Sequence, residues 1–300
     1  MAKARTLILR GGLVLTIAVV VGSGGFLAFS GRLESVEAPA LDLTAHPSFR
    51  TWDEHAEIYA RGVFPYTLKI EDPASGGALL YMGVQHSTDP ENPQFVQLRR
   101  EWAGFAPTVA LNEGRSRYFR WTSGLIGGIS DPKLAYILAR RSDIPIYSIE
   151  PSYKDEVALL LEKWPAEVVA CFFSTRVICA ESGGDPARAE AKAAGLLAKR
   201  TDVDGLRGAL TGVAELDRVW RELVPDGPDW RTLSNIDSVS AMRRVGDDSR
   251  EVRGRHMVRA IAGLVSQGER VVAVVGASHV IRHEPTLRSL LAPARLNAAE

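Results

Sequence analysis

Two histidines of this chain stand in the same local pattern, three residues after a glycine that closes a short apolar run. His86 follows Gly83 in this way, and His279 follows Gly276. Apolar runs bounded by glycine are typical of strands that are buried on both faces of a parallel sheet. Ligands of open α/β sheets bind at the carboxyl ends of such strands. The spacing therefore predicts that the two histidines, although far apart in sequence, meet at one edge of one sheet.

Two carboxylates follow other apolar segments in the same manner. Glu113 comes after the predicted strand 108–111, and Glu150 comes after the predicted strand 144–149. If these strands are parallel neighbours of the histidine strands, all four side chains lie along one edge. Two imidazoles and a carboxylate suit a divalent transition metal. We therefore predict His86, His279 and Glu113 as metal ligands, since they combine these groups.

The predicted chemistry is hydrolysis. A metal with an open position lowers the pKa of bound water and supplies a hydroxide nucleophile. A carboxylate that is not a ligand can accept the proton as general base, which makes Glu113 and Glu150 candidate catalytic residues. The alternative is that these are solvated loop carboxylates and structural histidines. The sequence contains neither the HExxH pattern of common zinc proteases nor the GxSxG pattern of serine hydrolases.

The other four histidines are expected to have smaller roles. His283 stands four residues after His279 and would share its face if a helix begins there. His256, on a predicted helix over 249–266, either supports the site or lies on the polar face of that helix. Two more, His46 and His55, are expected at the surface.

The composition is that of a globular protein rather than a nucleic-acid-binding one. The chain has 300 residues, of which 46% are hydrophobic and 24% charged. Lysine and arginine number 36, as do aspartate and glutamate, and no basic block stands out. Because binding to phosphates needs clustered cations, we expect no nucleic-acid partner. The expected partner is a peptide or small-molecule substrate.

The N-terminus differs in kind from the rest. Segment 1–31 has three basic and no acidic residues, and a charge-free run extends over 11–29. This pattern predicts either a cleaved signal peptide or a membrane anchor. The basic residues precede the run, so the globular part is expected on the extracytoplasmic side, in the periplasm or cell envelope, anchored or secreted.

The rest of the chain predicts one α/β domain with a mixed, largely parallel sheet flanked by helices. We expect a linker at 32–50, the α/β domain at 51–292 with a helical insertion at about 180–230, and a tail at 293–300. Segment 167–178 fits a helix or a strand. The two cysteines, Cys171 and Cys179, are either buried thiols or a disulfide, which would need a turn between them.

These residues together resemble the TraB/Tiki superfamily, which includes GumN-like, ChaN-like and erythromycin-esterase-like proteins. The resemblance rests on Gly83-Val-Gln-His86, on Gly276-Ala-Ser-His279, and on Glu113 after its strand. It also includes Arg253-Gly-Arg-His-Met257, where the family usually has an amide or acid in place of Gly254. The similar blocks are 80–125, 140–152 and 249–292.

The resemblance implies an α/β domain whose paired histidines and glutamates share one cleft, with Arg253 as a further catalytic residue. Tiki-like members are described as metal-dependent proteases, ChaN-like members bind haem, and erythromycin-esterase-like members hydrolyse an ester. The expected function is metal-dependent hydrolysis of a peptide or ester bond with manganese, cobalt or zinc. The alternatives are a haem- or small-ligand-binding protein without catalysis, and a structural member with no ligand.

Overall fold

The computed structural model of this protein describes residues 33–115 and 130–292. Within these ranges the central element is a sheet of five strands: β1 (Tyr66–Glu71), β2 (Ala78–Val84), β3 (Val109–Asn112), β4 (Ile146–Ser148) and β5 (Arg270–Gly276). Their spatial order is β1-β2-β5-β3-β4. β1 is antiparallel to β2, and all other neighbours are parallel. The expected α/β fold with a mixed, largely parallel sheet is confirmed.

The two histidine strands are neighbours in this sheet. β2 pairs with β5 along its whole length, from Ala78 opposite Arg270 to Val84 opposite Gly276. All seven residues of β2 are buried, as are five of the seven in β5. β5 also pairs with β3 on its other side. β5 is therefore the central strand of the sheet, and its apolar run follows from burial on both faces.

Helices cover both faces of the sheet. The described helices are α1 (Trp52–Tyr59), α2 (Pro93–Phe105), α3 (Asp131–Arg141), α4 (Tyr153–Leu161), α5 (Ala166–Ser182), α6 (Pro186–Thr201), α7 (Val213–Leu223), α8 (Ser240–Ser266) and α9 (Ala277–Leu291). Because side chains alternate along a strand, Leu80 packs with residues of α2 and α3, whereas Tyr81 packs with residues of α8 and α9. The result is a three-layer α/β/α arrangement.

A second apolar core lies among the helices that follow β4. It is formed by α4 to α7 together with the first turns of α8, up to Val245. The helical part therefore begins before the expected insertion at 180–230 and ends after it. Segment 167–178, which fitted either a helix or a strand, is part of helix α5. The two cysteines of this helix, Cys171 and Cys179, are buried free thiols.

Residues 33–50, expected to be a linker, pack along the α/β domain. Leu33, Val36 and Leu43 are buried, and the backbone N–H of Val36 donates to the carbonyl of Ser148 over 2.9 Å. The segment thus extends the β4 edge of the sheet by one short bridge. Its lack of sequence periodicity follows from this irregular, extended packing.

The described residues do not include the predicted membrane segment at 1–31, residues 116–129 or the tail at 293–300. In the parts of the chain that the structure describes, no helix combines the length and the apolar character that crossing a membrane needs.

The glycine of the first Gly-x-x-His pattern allows α9 to begin close to β2. A Cβ atom at Gly83 would lie 2.7 Å from the Cα of Ala277 and 2.9 Å from Cγ2 of Val280. We expect Gly83→Ala to lower the free energy of unfolding by about 1–3 kcal/mol because the added methyl meets backbone that cannot rotate away. Urea unfolding followed by circular dichroism measures it.

A second glycine provides the control for this prediction. Gly195 is exposed within α6, and a Cβ there would meet nothing within 4 Å. Gly195→Ala should stabilise the protein by about 0.5–1 kcal/mol, since alanine is the better helix former. Equal effects of the two substitutions would show that the close approach of α9 to β2 is not what requires Gly83.

Candidate functional site

The carboxyl ends of β2, β5, β3 and β4 lie side by side, and the predicted site residues gather there. His86 comes two residues after β2, Glu113 directly after β3, and Glu150 two residues after β4. His279 differs slightly from the expectation, because it belongs to the first turn of α9 rather than to a strand end. Arg253 reaches the same place from the middle of α8.

Glu113 is the centre of this cluster. Its Oε2 lies 3.7 Å from Nε2 of His86, and its Oε1 lies 3.4 Å from Nε2 of His279. The backbone N–H of Gly276 donates to Oε2 over 2.6 Å. The two histidines, 193 positions apart in the sequence, thus face opposite oxygens of one carboxylate.

The second glycine of the paired pattern leaves room for this arrangement. A Cβ atom at Gly276 would lie 3.2 Å from Nε2 of His86 and 3.4 Å from Oε2 of Glu113. Any larger residue would press on both groups. The absent side chain also leaves the N–H of Gly276 accessible to the carboxylate, so this glycine shapes the site directly.

Arg253 joins the two glutamates. Its guanidinium makes a short ion pair with Oε1 of Glu150 and lies 3.8 Å from Oε1 of Glu113. Only 12% of the Arg253 side chain is exposed, against 19% for Glu113 and 21% for Glu150. These charges are therefore only weakly screened by solvent. The ion pair with Glu150 holds Arg253 beside Glu113, so Arg253 connects Glu150 to the carboxylate that the two histidines face.

Asp131 is a member of the site that the sequence did not reveal. Nδ1 of His86 lies 2.8 Å from Oδ2 of Asp131, whose side chain is 2% exposed. A carboxylate only accepts hydrogen bonds, so Nδ1 of His86 carries a proton. The other ring nitrogen, Nε2, faces Glu113. The sequence offered little indication of this role, because Asp131 follows no predicted strand and stands directly before Pro132 at the start of α3.

Glu113 and His86 differ in how the site shifts their pKa values. Burial alone would raise the pKa of Glu113, but the hydrogen bond and positive charge of His279, the N–H of Gly276 and the charge of Arg253 lower it to about 2. The hydrogen bond from His86 to Asp131 raises the pKa of His86, although burial opposes it. Glu113 is therefore a permanent anion near neutral pH, whereas His86 can exchange a proton.

Removing the charge of Asp131 should lower the pKa of His86. In Asp131→Asn the neutral amide cannot stabilise the imidazolium as the carboxylate does, so the titration of His86 should move to lower pH. The chemical shift of the imidazole proton of His86, followed by NMR as a function of pH, measures it. His46, whose Nδ1 lies 2.9 Å from the hydroxyl of Ser289, is the internal control; an unmoved His86 titration would remove Asp131 from the site.

His283 lies behind the site rather than in it. It is 1% exposed, and its Nδ1 lies 3.1 Å from the hydroxyl of Tyr81. Burial and the charge of His279 lower the pKa of His283 far below its ordinary value. A Cβ atom at Gly254 would lie 2.8 Å from Nε2 of His283. The buried imidazole thus occupies the place where a larger residue at 254 would have to fit.

The other histidines lie outside the cluster but are not simply surface residues. His55 and His46 are partly buried, and Nε2 of His55 lies 2.9 Å from the hydroxyl of Ser278. His256 is also partly buried, and burial lowers its pKa. None of the three contacts Glu113 in the described structure.

Charge in the cleft is unbalanced when the histidines are neutral. Glu113, Glu150 and Asp131 carry three negative charges, and Arg253 carries one positive charge, which leaves two negative charges. Across residues 33–115 and 130–292, however, no three histidine, cysteine or acidic side chains form a ready-made metal cage. His86 and His279 contact the carboxylate of Glu113 directly.

Comparisons with known proteins add no identification. No family model, curated protein or solved structure matches this chain.

Proposed function

We propose that this chain is a hydrolase of peptide or ester bonds whose active site is the cleft around Glu113, and that His86, Glu113 and His279 bind a divalent metal there. Manganese, cobalt or zinc is the proposed ion. The observation that carries the proposal is the line of contacts from His86 through Glu113 to His279, with both imidazole Nε2 atoms turned toward one carboxylate.

The donor set fits a divalent ion in its chemistry. Two imidazole nitrogens and a carboxylate are preferred ligands of such metals. The contact of His86 with Asp131 matches the carboxylate partner that metal-binding histidines usually have. A dication would also balance the two excess negative charges of the cleft. With such an ion bound, the two imidazoles and the carboxylate of Glu113 would contact the ion instead of one another.

Each residue then has a separate task. A divalent ion bound here would lower the pKa of water and polarise the carbonyl of a substrate. Asp131 fixes the tautomer of His86, so Nε2 faces the cleft. Glu113, with its pKa of about 2, is better suited to bind a cation than to take up a proton at neutral pH. Glu150 is the remaining carboxylate at the edge of the cleft and is the proposed proton acceptor, positioned by Arg253.

A second candidate is hydrolysis without a metal. The pair of Asp131 and His86 has the arrangement of an oriented general base, because the carboxylate holds Nδ1 and raises the pKa of the imidazole. His86 is also the most open member of the cluster, with 57% of its side chain exposed. A water molecule next to Nε2 would then be the nucleophile.

Membership of the TraB/Tiki superfamily remains a proposal that rests on the paired Gly-x-x-His patterns and the clustering of His86, Glu113 and His279. We also propose that the globular part is extracytoplasmic and tethered or released at residues 1–31, which is supported by the charge pattern of that segment. The proposed partners are a peptide or small-molecule substrate and, through the N-terminal segment, a membrane.

The test is hydrolysis by the purified chain before and after treatment with EDTA, with p-nitrophenyl butyrate and a fluorogenic peptide library as substrates. The proposal expects activity that EDTA removes and that manganese, cobalt or zinc restores. Activity that survives EDTA but is lost in His86→Ala would favour the metal-free mechanism. Absence of hydrolysis together with a Soret band after haem reconstitution would show a haem binder instead.

A further inference from the structure

Ser278 and His55 form a hydrogen-bonded pair next to the proposed active site. Nε2 of His55 lies 2.9 Å from the hydroxyl oxygen of Ser278, and both side chains are partly exposed to solvent. Ser278 directly precedes His279, whose Nε2 lies 3.4 Å from Oε1 of Glu113. A serine hydroxyl in contact with an imidazole can become a nucleophile, because the imidazole removes the hydroxyl proton.

Neighbouring side chains hold the imidazole of His55 in place on α1. Its ring lies between Trp52 and Tyr59, with ring centroids at 5.5 Å and 5.3 Å. The guanidinium of Arg282 lies over the ring of Trp52, 4.2 Å from its centroid. Burial and the charge of Arg282 lower the pKa of His55. The imidazole is therefore neutral near pH 7, as a general base must be.

Ser278 lies where a strand passes into a helix. β5 ends at Gly276, and Ser278 is the second residue of α9. The first N–H groups of a helix have no acceptor within that helix, and Gly276 has no side chain to cap them. Such N–H groups stabilise negative charge that develops on a nearby oxygen during acyl transfer.

A second pair of serine and histidine on the same helix has a different setting. Nδ1 of His46 lies 2.9 Å from the hydroxyl of Ser289, and these two side chains are also partly exposed. Ser289, however, lies in the last turn of α9, where the backbone carbonyls make the helix end partially negative. The two pairs thus match in separation and differ in which end of α9 they occupy.

We propose that Ser278 is a nucleophile that takes the acyl group of an ester, with His55 as its general base. This inference goes beyond the proposed metal-dependent hydrolysis, because no metal takes part. Oγ of Ser278 bonds to the carbonyl carbon while its proton passes to Nε2 of His55. The bond from that carbon to the alcohol oxygen breaks, and the departing alcohol takes the proton from His55. Water then cleaves the acyl-serine, which releases the acid and restores Ser278.

Diisopropyl fluorophosphate is the probe for this nucleophile, because an activated serine displaces its fluoride and retains the phosphoryl group. The full chain is treated with EDTA and then with the probe, and the modified serines are identified by mass spectrometry. Ser278 should be modified, whereas Ser289 should not. Modification of neither serine, or equal rates at both, would overturn the proposal.

Two histidine variants test whether His55 activates Ser278. His55→Gln should slow the modification of Ser278 about 100-fold, as expected when a general base is removed. The substitution should leave the fold intact, since α1 has no buried residues. His46→Gln is the matched control and should leave the rate at Ser278 unchanged. An unchanged rate in His55→Gln, or an equal loss in His46→Gln, would also overturn the proposal.

The labelling needs neither a metal nor turnover. It therefore decides the role of Ser278 whether or not the chain shows metal-dependent hydrolysis.

Discussion

Glu113→Gln is expected to reduce hydrolysis by about 100- to 10,000-fold. Glutamine keeps the shape of the side chain but removes the negative charge between His86 and His279, so the cleft loses the proposed metal ligand and the carboxylate that both imidazoles face. The rate of ester and peptide hydrolysis, measured with saturating metal, gives the result.

The same substitution should change how stability depends on pH. The pKa of Glu113 is about 2 in the folded chain against an ordinary value of 4.5. The ionised carboxylate therefore stabilises the fold above pH 4.5, and this contribution is lost as the pH falls from 4.5 toward 2. Glu113→Gln should lack this part of the acid dependence in urea unfolding.

Glu101 supplies the matched control. Its side chain is 18% exposed, close to the 19% of Glu113, and pairs with Lys69 at 2.6 Å away from the cleft. Glu101→Gln should leave the rate of hydrolysis unchanged. If both glutamine variants retain full activity, Glu113 is a structural carboxylate and the proposed site is wrong.

Arg253→Met should be the most destabilising of the proposed substitutions, by about 3 kcal/mol. Methionine fills a similar volume, so the effect comes from leaving Glu113 and Glu150 without their shared cation in a poorly solvated place. Arg253→Lys keeps the charge and should recover part of the stability. The midpoint of urea unfolding, with its slope checked for constancy, measures both changes.

Arg255 lies two residues later on the same helix and tests whether any arginine there has this effect. Its side chain is 46% exposed and pairs with Glu251 at 2.8 Å. Arg255→Met should change the free energy of unfolding by less than about 0.5 kcal/mol. Similar losses for Arg253→Met and Arg255→Met would mean that the bridge between the glutamates contributes little.

The sequence predicted the meeting of His86, Glu113, Glu150 and His279 because parallel strands bring their carboxyl ends to one edge of the sheet. Burial of β5 on both faces explains why its apolar run marked the centre of the sheet. These inferences needed only local patterns, since strand direction and order determine the rest.

Other features could not be predicted because they depend on contacts between distant elements. Asp131 reaches His86 from the start of α3, and no spacing in the sequence connects the two. Helix α5 contains eight consecutive buried residues, 168–175, so its apolar residues show little helical period, and a helix and a strand were equally compatible with the sequence. The segment 33–50 packs in an irregular path along the sheet edge, and such a path has no periodic pattern.

Metal content of the purified chain tests the central claim most directly. Equilibrium dialysis against manganese, cobalt or zinc, followed by elemental analysis, should find one ion per chain in the wild type and in the control His46→Ala. His86→Ala and His279→Ala should each bind none, with little loss of stability because both side chains lie outside the apolar core. A wild type that binds none of the three ions, or metal that persists in both variants, would contradict the account.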